Sequence, residues 1–265
     1  MGARRRAGAA RRDASKLDAA HSRRSPSSGA ATATPILPSP PHAFAIAAAV
    51  SASFLALYVR TLFPDIPGGD ATELIFNACQ LSVPHPPGYP LFTLIERAFM
   101  EAVPVGSPAY RANLAAAFCG ALAAGSIALA VLELASGPGR ATAGIAAAAA
   151  ILASGMFGVS RLVWFYAIQA EVFALNNLLC GVTLYLTARF ARTRHPGTAV
   201  AGAFACGLGC ANQHTFVFIA AVCIPTVVAL GYPRLLAPRT IAALSAAFLL
   251  GISPYVSPTR NASDF

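Results

Sequence analysis

The sequence predicts an all-α, polytopic membrane protein with about seven transmembrane helices and a long first loop that carries interfacial helices. Composition is the first observation behind this expectation. Hydrophobic residues make up 56% of the chain and charged residues 11%, with a mean hydropathy of +0.61, whereas a soluble domain carries roughly a quarter charged residues. The second is a succession of apolar runs at 43–63, 110–135, 141–159, 170–190, 198–214, 215–231 and 239–256, each near the length of about 20 residues that crosses a bilayer. The third is the placement of charge between those runs.

Residues 1–41 are rich in Arg, Ala, Ser and Pro and lack apolar periodicity, so they are expected to form a disordered basic tail. An Arg- and Ser-rich start is also the composition of an organelle transit peptide. Asp13, Asp18 and the apolar run that follows fit a cytosolic tail before a signal anchor better. Residues 42–258 are expected to form the transmembrane domain and 259–265 to begin a lumenal segment.

Orientation follows from the arginines. With the tail cytosolic, alternation places Arg140, then Arg189, Arg192 and Arg194, then Arg234 and Arg239 on the cytosolic side, as the positive-inside rule requires. The other side receives Asp65, Asp70, Glu73, Glu96, Glu101, Glu171 and Asp264, with Arg97 and Arg161 as the opposing arginines. The sequon at Asn261 would also be lumenal, a candidate glycosylation site. The net charge of +9 does not form one patch interleaved with aromatics, so no nucleic-acid partner is expected.

The loop at 64–109 is too long for a simple connection and too apolar for disorder. Helices are expected over 70–81 and 90–103. In the second, Leu91, Leu94, Ile95 and Ala98 recur at helical spacing while Glu96 and Glu101 fall elsewhere, so an interfacial helix is expected. Asp70 follows two glycines and precedes Glu73 by three, an Asp variant of the capping box. A cap uses one or two of a carboxylate's roughly four acceptor positions, so Asp70 could cap and still present a free oxygen. The segment "HPPGYP" is a stiff turn that would hold His85 and Tyr89 in place.

Alternation brings four polar segments to one membrane side: "GGDATEL", "VPHPPGYP", "SRLVWFYAIQAEVF" and "NQHT". Their residues also have plain structural readings. Gln169 and Glu171 could begin a helix, Arg161 could anchor at the interface, and His214 alone could be a hydrogen-bonded core histidine. Asn212, Gln213 and His214 together at membrane depth point to function. A lumenal carboxylate near a cationic Arg161 suits transfer from a lipid-linked phosphate donor: the arginine holds the leaving phosphate and the carboxylate takes the proton of the attacking hydroxyl. No GxxxxGK[ST] or GxGxxG loop occurs, which disfavours a cytosolic nucleotide-using enzyme.

Of six cysteines, Cys119, Cys180, Cys206, Cys210 and Cys223 fall inside apolar runs and read as small buried residues, not a disulfide framework. Cys206 and Cys210 share a helix face, but no His or carboxylate is spaced to complete a metal site.

"PGGDATELI", "HPPGYPLFTL", "AYRANL", "SRLVWFYAIQAEVFALNNL" and "GLGCANQHT" resemble, in this order, the membrane domain of the transmembrane protein 260 family, over about residues 43–258. Eukaryotic members of that family are endoplasmic-reticulum protein O-mannosyltransferases. The resemblance implies a GT-C-type glycosyltransferase of the endoplasmic reticulum membrane that needs no metal or other cofactor. It would transfer mannose from dolichyl-phosphate mannose, a polyprenyl-phosphate sugar donor, to Ser or Thr hydroxyls of lumenal acceptor proteins with IPT-type domains. By the same analogy Asp70 is the general base. Glu73, His85, Tyr89, Arg161, Gln169, Glu171, Asn212, Gln213 and His214 occupy the other motif positions and are expected to bind substrate. The family continues through further spans past the position of Phe265, so the chain is expected to be a fragment. Two other readings stay open: a non-enzymatic transporter or lipid-binding membrane protein, against which the lack of an internal repeat counts, and an inactive fragment.

Overall fold

The computed structural model describes residues 42–136 and 141–256. The tail, Asn261 and the segment 259–265 lie outside them. Every regular element among the described residues is helical. They are α1 (Ala43–Arg60), α2 (Asp70–Gln80), α3 (Pro90–Ala102), α4 (Pro108–Ala135), α5 (Ala143–Gly158), α6 (Arg161–Ala167), α7 (Val172–Thr193), α8 (Pro196–Asn212), α9 (Val217–Gly231) and α10 (Pro238–Ile252), with 3-10 turns at His214–Phe216, Arg234–Leu236 and Ser253–Val256.

The 28-residue α4 is the central post, with α1, α5 and α7 packed around it. Its Ala, Gly and Ser residues keep its surface narrow, which lets neighbouring backbones approach where dispersion rather than hydrophobic transfer holds helices together. On α7, a Cβ added at Gly181 would stand 2.9 Å from Ser126 Cβ of α4. Helices α8 and α10 also meet at glycines, Gly207 against Gly251, where no side chain would fit between the backbones. By contrast α9 and α10 bury little and expose Phe218, Val222, Ile224, Leu249 and Leu250, the surface expected of helices that face lipid.

Among the described residues five helical segments are long and apolar enough to cross a membrane: α1, α4, α7, His214–Gly231 and Pro238–Val256. The pair α5 and α6 makes a sixth if counted as one broken span, bent by 69°. Length and composition thus give five or six spans among the described residues, beside the about seven expected. At 17 residues, α8 rises only about 26 Å, against a hydrocarbon core of about 30 Å. It nevertheless runs antiparallel to most of α7. The Asn212 amide at its end donates to Val172 O at the start of α7 (3.2 Å), while Ala199 near its start packs with Phe190 near the end of α7. After the α5–α6 bend the chain forms the short helix α6. Tyr58 of α1, fully buried, donates its hydroxyl to Gly158 O (2.8 Å) at the last residue of α5, and Trp164 Nε1 of α6 donates to Thr61 Oγ1 (3.0 Å).

The two bundle ends differ in charge. At one, Glu133 is buried between Arg189 (3.0 Å) and Arg192 (2.6 Å), and Arg194 donates to Leu230 O. At the other lie the carboxylates of α2, α3 and the 168–171 segment, with α2 and α3 docked on each other and on α4. The face of α3 buried in the protein is Phe92, Thr93, Glu96 and Met100, with Leu91 and Ile95 partly buried against the core, so Glu96 points into the protein.

Candidate active site

The carboxylate end is organised by Asn113, a fully buried residue in the first turns of α4. Its amide donates to Phe63 O (3.0 Å) and Asp65 O (2.9 Å), and its Oδ1 accepts from Ala170 N (2.9 Å). Phe63 N also donates to Ile168 O (3.1 Å). The segment leaving α1 and the segment entering α7 are thereby tied to one side chain. Ala71 and Ala170 then pack in one cluster, and Leu74 and Val172 in the next. Asp70 and Glu171, each one residue from those clusters, act on each other electrostatically.

Asp70 does not cap its helix. The cap position is Gly69 at φ 61°, after Gly68 at φ 93°, both in the left-handed region that glycine enters without steric cost. Thr72 N bonds to the Gly69 carbonyl. Asp70 is the first helical residue, exposed, with no hydrogen bond or ion pair from its side chain to any described residue. Both its oxygens stand free, one more than the capping-box expectation allowed.

Glu73 is paired with His85: its Oε1 accepts from His85 N (2.7 Å) and its Oε2 lies 2.8 Å from His85 Nδ1. The imidazole bonded to it holds the Glu73 carboxyl below its ordinary range. The other ring nitrogen, Nε2, lies 3.3 Å from Tyr89 Oη. Tyr89 is itself held at φ 43° by the Pro87–Gly88 turn before α3. Burial and then the nearby Asp70, Glu171 and Glu73 carboxylates push its phenol upward. The result is a Glu73–His85–Tyr89 chain whose far end faces Asp70 and Glu171.

Glu171 stands at the cap position of α7 but makes no capping bond. Half-buried, its carboxyl is pushed up to about 7, first by burial, then by Asp70, against the opposing pull of His85. Behind it Glu96 is fully buried with neither oxygen hydrogen-bonded to any described residue. Burial and Glu171 drive the Glu96 carboxyl well above its ordinary value. It is held as the neutral acid, since an unpaired buried carboxylate costs several kcal/mol or more. A raised carboxyl binds its proton more tightly folded than unfolded, so its contribution to stability is present at low pH and lost as pH rises. Glu96→Gln, isosteric and unable to ionise, should therefore unfold at a higher temperature than wild type, with a gap that widens from pH 5 to pH 8. Parallel unfolding curves in detergent would contradict this.

Of the remaining expected residues, Asn212 is fully buried and Gln213 partly; both present a side-chain oxygen with no described partner, and His214 Nε2 lies 3.4 Å from Tyr255 Oη. Tyr255 is within electrostatic reach of Tyr89, and α3 packs on its turn, so "NQH" borders the carboxylate site through two tyrosines. Gln169 is buried beside Ala170 without a described side-chain bond. Arg161 is not brought to the carboxylates. It is exposed at the start of α6, at the same bundle end, and no described contact joins it to Asp70 or Glu171. Sequence reasoning missed Asn113, Glu96 and Tyr255. For Asn113 a signal existed, a lone amide early in an alanine-rich helix, where an unpaired polar group is costly.

A cavity of about 440 Å³ lies between α7, α8, α9 and α10, lined by Leu186, Cys206, Cys223, Leu235, Phe248 and neighbours. It sits toward the arginine end, and no residue of the carboxylate site lines it. All six cysteines are free, and no described group of three or more His, Cys, Asp or Glu could hold a metal ion.

The protein is similar to curated relatives from two organisms. One is the protein O-mannosyl-transferase TMEM260 of Mus musculus, 42% identical over 213 residues that cover 78% of this chain and 29% of the relative. The other is protein O-mannosyl-transferase tmem260 of Dictyostelium discoideum, 32% identical over 219 residues that cover 76% of this chain and 25% of the relative. The chain thus spans under a third of the length of each. No solved structure matches it. The family model described as the protein O-mannosyl-transferase TMEM260 N-terminal domain matches residues 70–235, from Asp70 to beyond the end of α9, and the chain belongs to that family.

Proposed function

We propose that the carboxylate end of the bundle transfers mannose from dolichyl-phosphate mannose to Ser or Thr hydroxyls of lumenal acceptor proteins with IPT-type domains, in the endoplasmic reticulum membrane. The observation that carries this is Asp70, a carboxylate with both oxygens free beside a packed Glu73–His85–Tyr89 chain, at the mouth of a bundle whose opposite end is arginine-rich. The arginine end belongs on the cytosolic side, which sets the carboxylate end in the lumen with the N-terminus cytosolic.

Asp70 is the general base: it takes the hydroxyl proton as the acceptor oxygen attacks the anomeric carbon and the dolichyl phosphate departs. Glu73 holds His85, and His85 holds Tyr89, so these position rather than react. Arg161, exposed and without a described partner at the same end, is the cation offered to the donor's phosphate. Asn212, Gln213 and His214 border the site where sugar or acceptor hydroxyls need acceptors.

Donor choice tests the reading. Membranes carrying this chain, alone and joined to the sequence that follows it in its relatives, should pass mannose to an IPT-type domain from dolichyl-phosphate mannose and not from GDP-mannose. Transfer from the nucleotide sugar, or movement of the lipid across the bilayer without transfer, would reject it.

A further inference from the structure

Glu171 poses a problem for phosphate chemistry. It and Asp70 lie within electrostatic reach of each other, and their sequence neighbours Ala170 and Ala71 belong to one packed cluster beside Asn113, which binds Ala170 N. Two ionised carboxylates there would repel each other and an incoming phosphate. Among the described residues His85 is the one cation-forming group that acts on Glu171, and its Nδ1 is already turned to Glu73. Glu171 also makes no helix-capping bond from its cap position, so its carboxyl is not committed to the helix end.

We propose that Glu171 is a second catalytic carboxyl that works in its protonated form, donating a hydrogen bond to the phosphate oxygen of the departing lipid while ionised Asp70 accepts the proton of the acceptor hydroxyl. This rests on the glycosyl-transfer reading above. In the step, the acceptor O–H bond breaks and its proton goes to Asp70. The acceptor oxygen bonds to the anomeric carbon as the bond from that carbon to phosphate oxygen breaks, and the phosphate leaves with the electron pair. Glu171 keeps its proton throughout. Its elevated proton affinity fits the role, since at about 7 it is half protonated at neutral pH, whereas an ordinary glutamate would be charged.

The groups facing Glu171 are Asp70 from α2, His85 from the loop before α3, Glu96 from α3, and Tyr89 at the α3 cap. Of these, Glu96 is driven well above its ordinary value by burial and His85 Nδ1 is paired with Glu73, so the alkaline limb is assigned to Glu171. Wild-type kcat/KM should fall about tenfold for each pH unit above 7 as Glu171 ionises. Glu171→Gln, a permanent but weaker donor, should lower kcat/KM a few-fold at pH 6.5 and abolish the alkaline fall. Glu171→Ala should lower it far more, at every pH.

Each outcome decides something. A wild-type profile flat from pH 6.5 to 8.5 overturns the proposal whatever the variants do. So does an alkaline limb that survives in Glu171→Gln, or a folded Glu171→Gln that is as inactive as Asp70→Asn, which would make Glu171 the base. Failure of the wild type to transfer mannose at all would instead reject the underlying reading.

Discussion

Asp70→Asn should lower mannosyl transfer by about a hundredfold to ten-thousandfold, the range that a positioned general base supplies. Asn keeps the size of Asp and can still accept a hydrogen bond, but its amide cannot take up the proton of the attacking hydroxyl. Little else should change. The Asp70 side chain is exposed, caps nothing and pairs with no described residue, so stability should move by no more than about 0.5 kcal/mol. Unaltered membrane insertion and thermal midpoint, measured beside the transfer rate, separate a lost base from a lost fold. Transfer within a few-fold of wild type would remove Asp70 from the mechanism.

The second large effect is expected at Asn113, which touches no substrate. Asn113→Ala removes three hydrogen bonds and strands two backbone carbonyls and one amide in a buried joint. At about 1 kcal/mol net for each bond the loss is about 3 kcal/mol, or about 6–12 °C in the thermal midpoint for a domain of this size. Transfer should fall more than tenfold even well below the new midpoint, because the 63–65 and 168–171 segments lose the tie that sets Asp70 beside Glu171. Asn113→Asp should not rescue it, since an ionised carboxylate would face the Phe63 and Asp65 carbonyls with no donor for either. An Asn113→Ala protein with wild-type stability and wild-type transfer would show that the joint does not organise the site.

The helical fold was legible because long apolar runs have one solution in lipid, where every backbone polar group must be satisfied within its own segment. Helices expected at 70–81 and 90–103 appear as α2 and α3. The rest was not legible where tertiary contact adds to or overrides local pattern. In α3 the spacing of Leu91, Leu94, Ile95 and Ala98 sets an amphipathic phase for an isolated helix at an interface. Packing on α4 also buries Phe92, Glu96 and Met100, and no sequence rule foretells a fully buried, unpaired glutamate. The Asp70–Glu73 spacing reads as a capping box, yet two left-handed glycines take the turn and pass the cap to Gly69. Among the site residues, proximity of Asp70, Glu73, His85, Tyr89 and Glu171 followed from shared topology. Arg161 shares their end of the bundle without sharing their contacts, because topology sets depth and leaves lateral position to helix packing.

The most direct test of the account is the labelling of a lumenal IPT-type acceptor domain by membranes given radiolabelled dolichyl-phosphate mannose, with wild-type and Asp70→Asn proteins present at equal amounts. The account predicts mannose on Ser or Thr of the acceptor with the wild type and background label with the variant. Equal labelling by the two would contradict it.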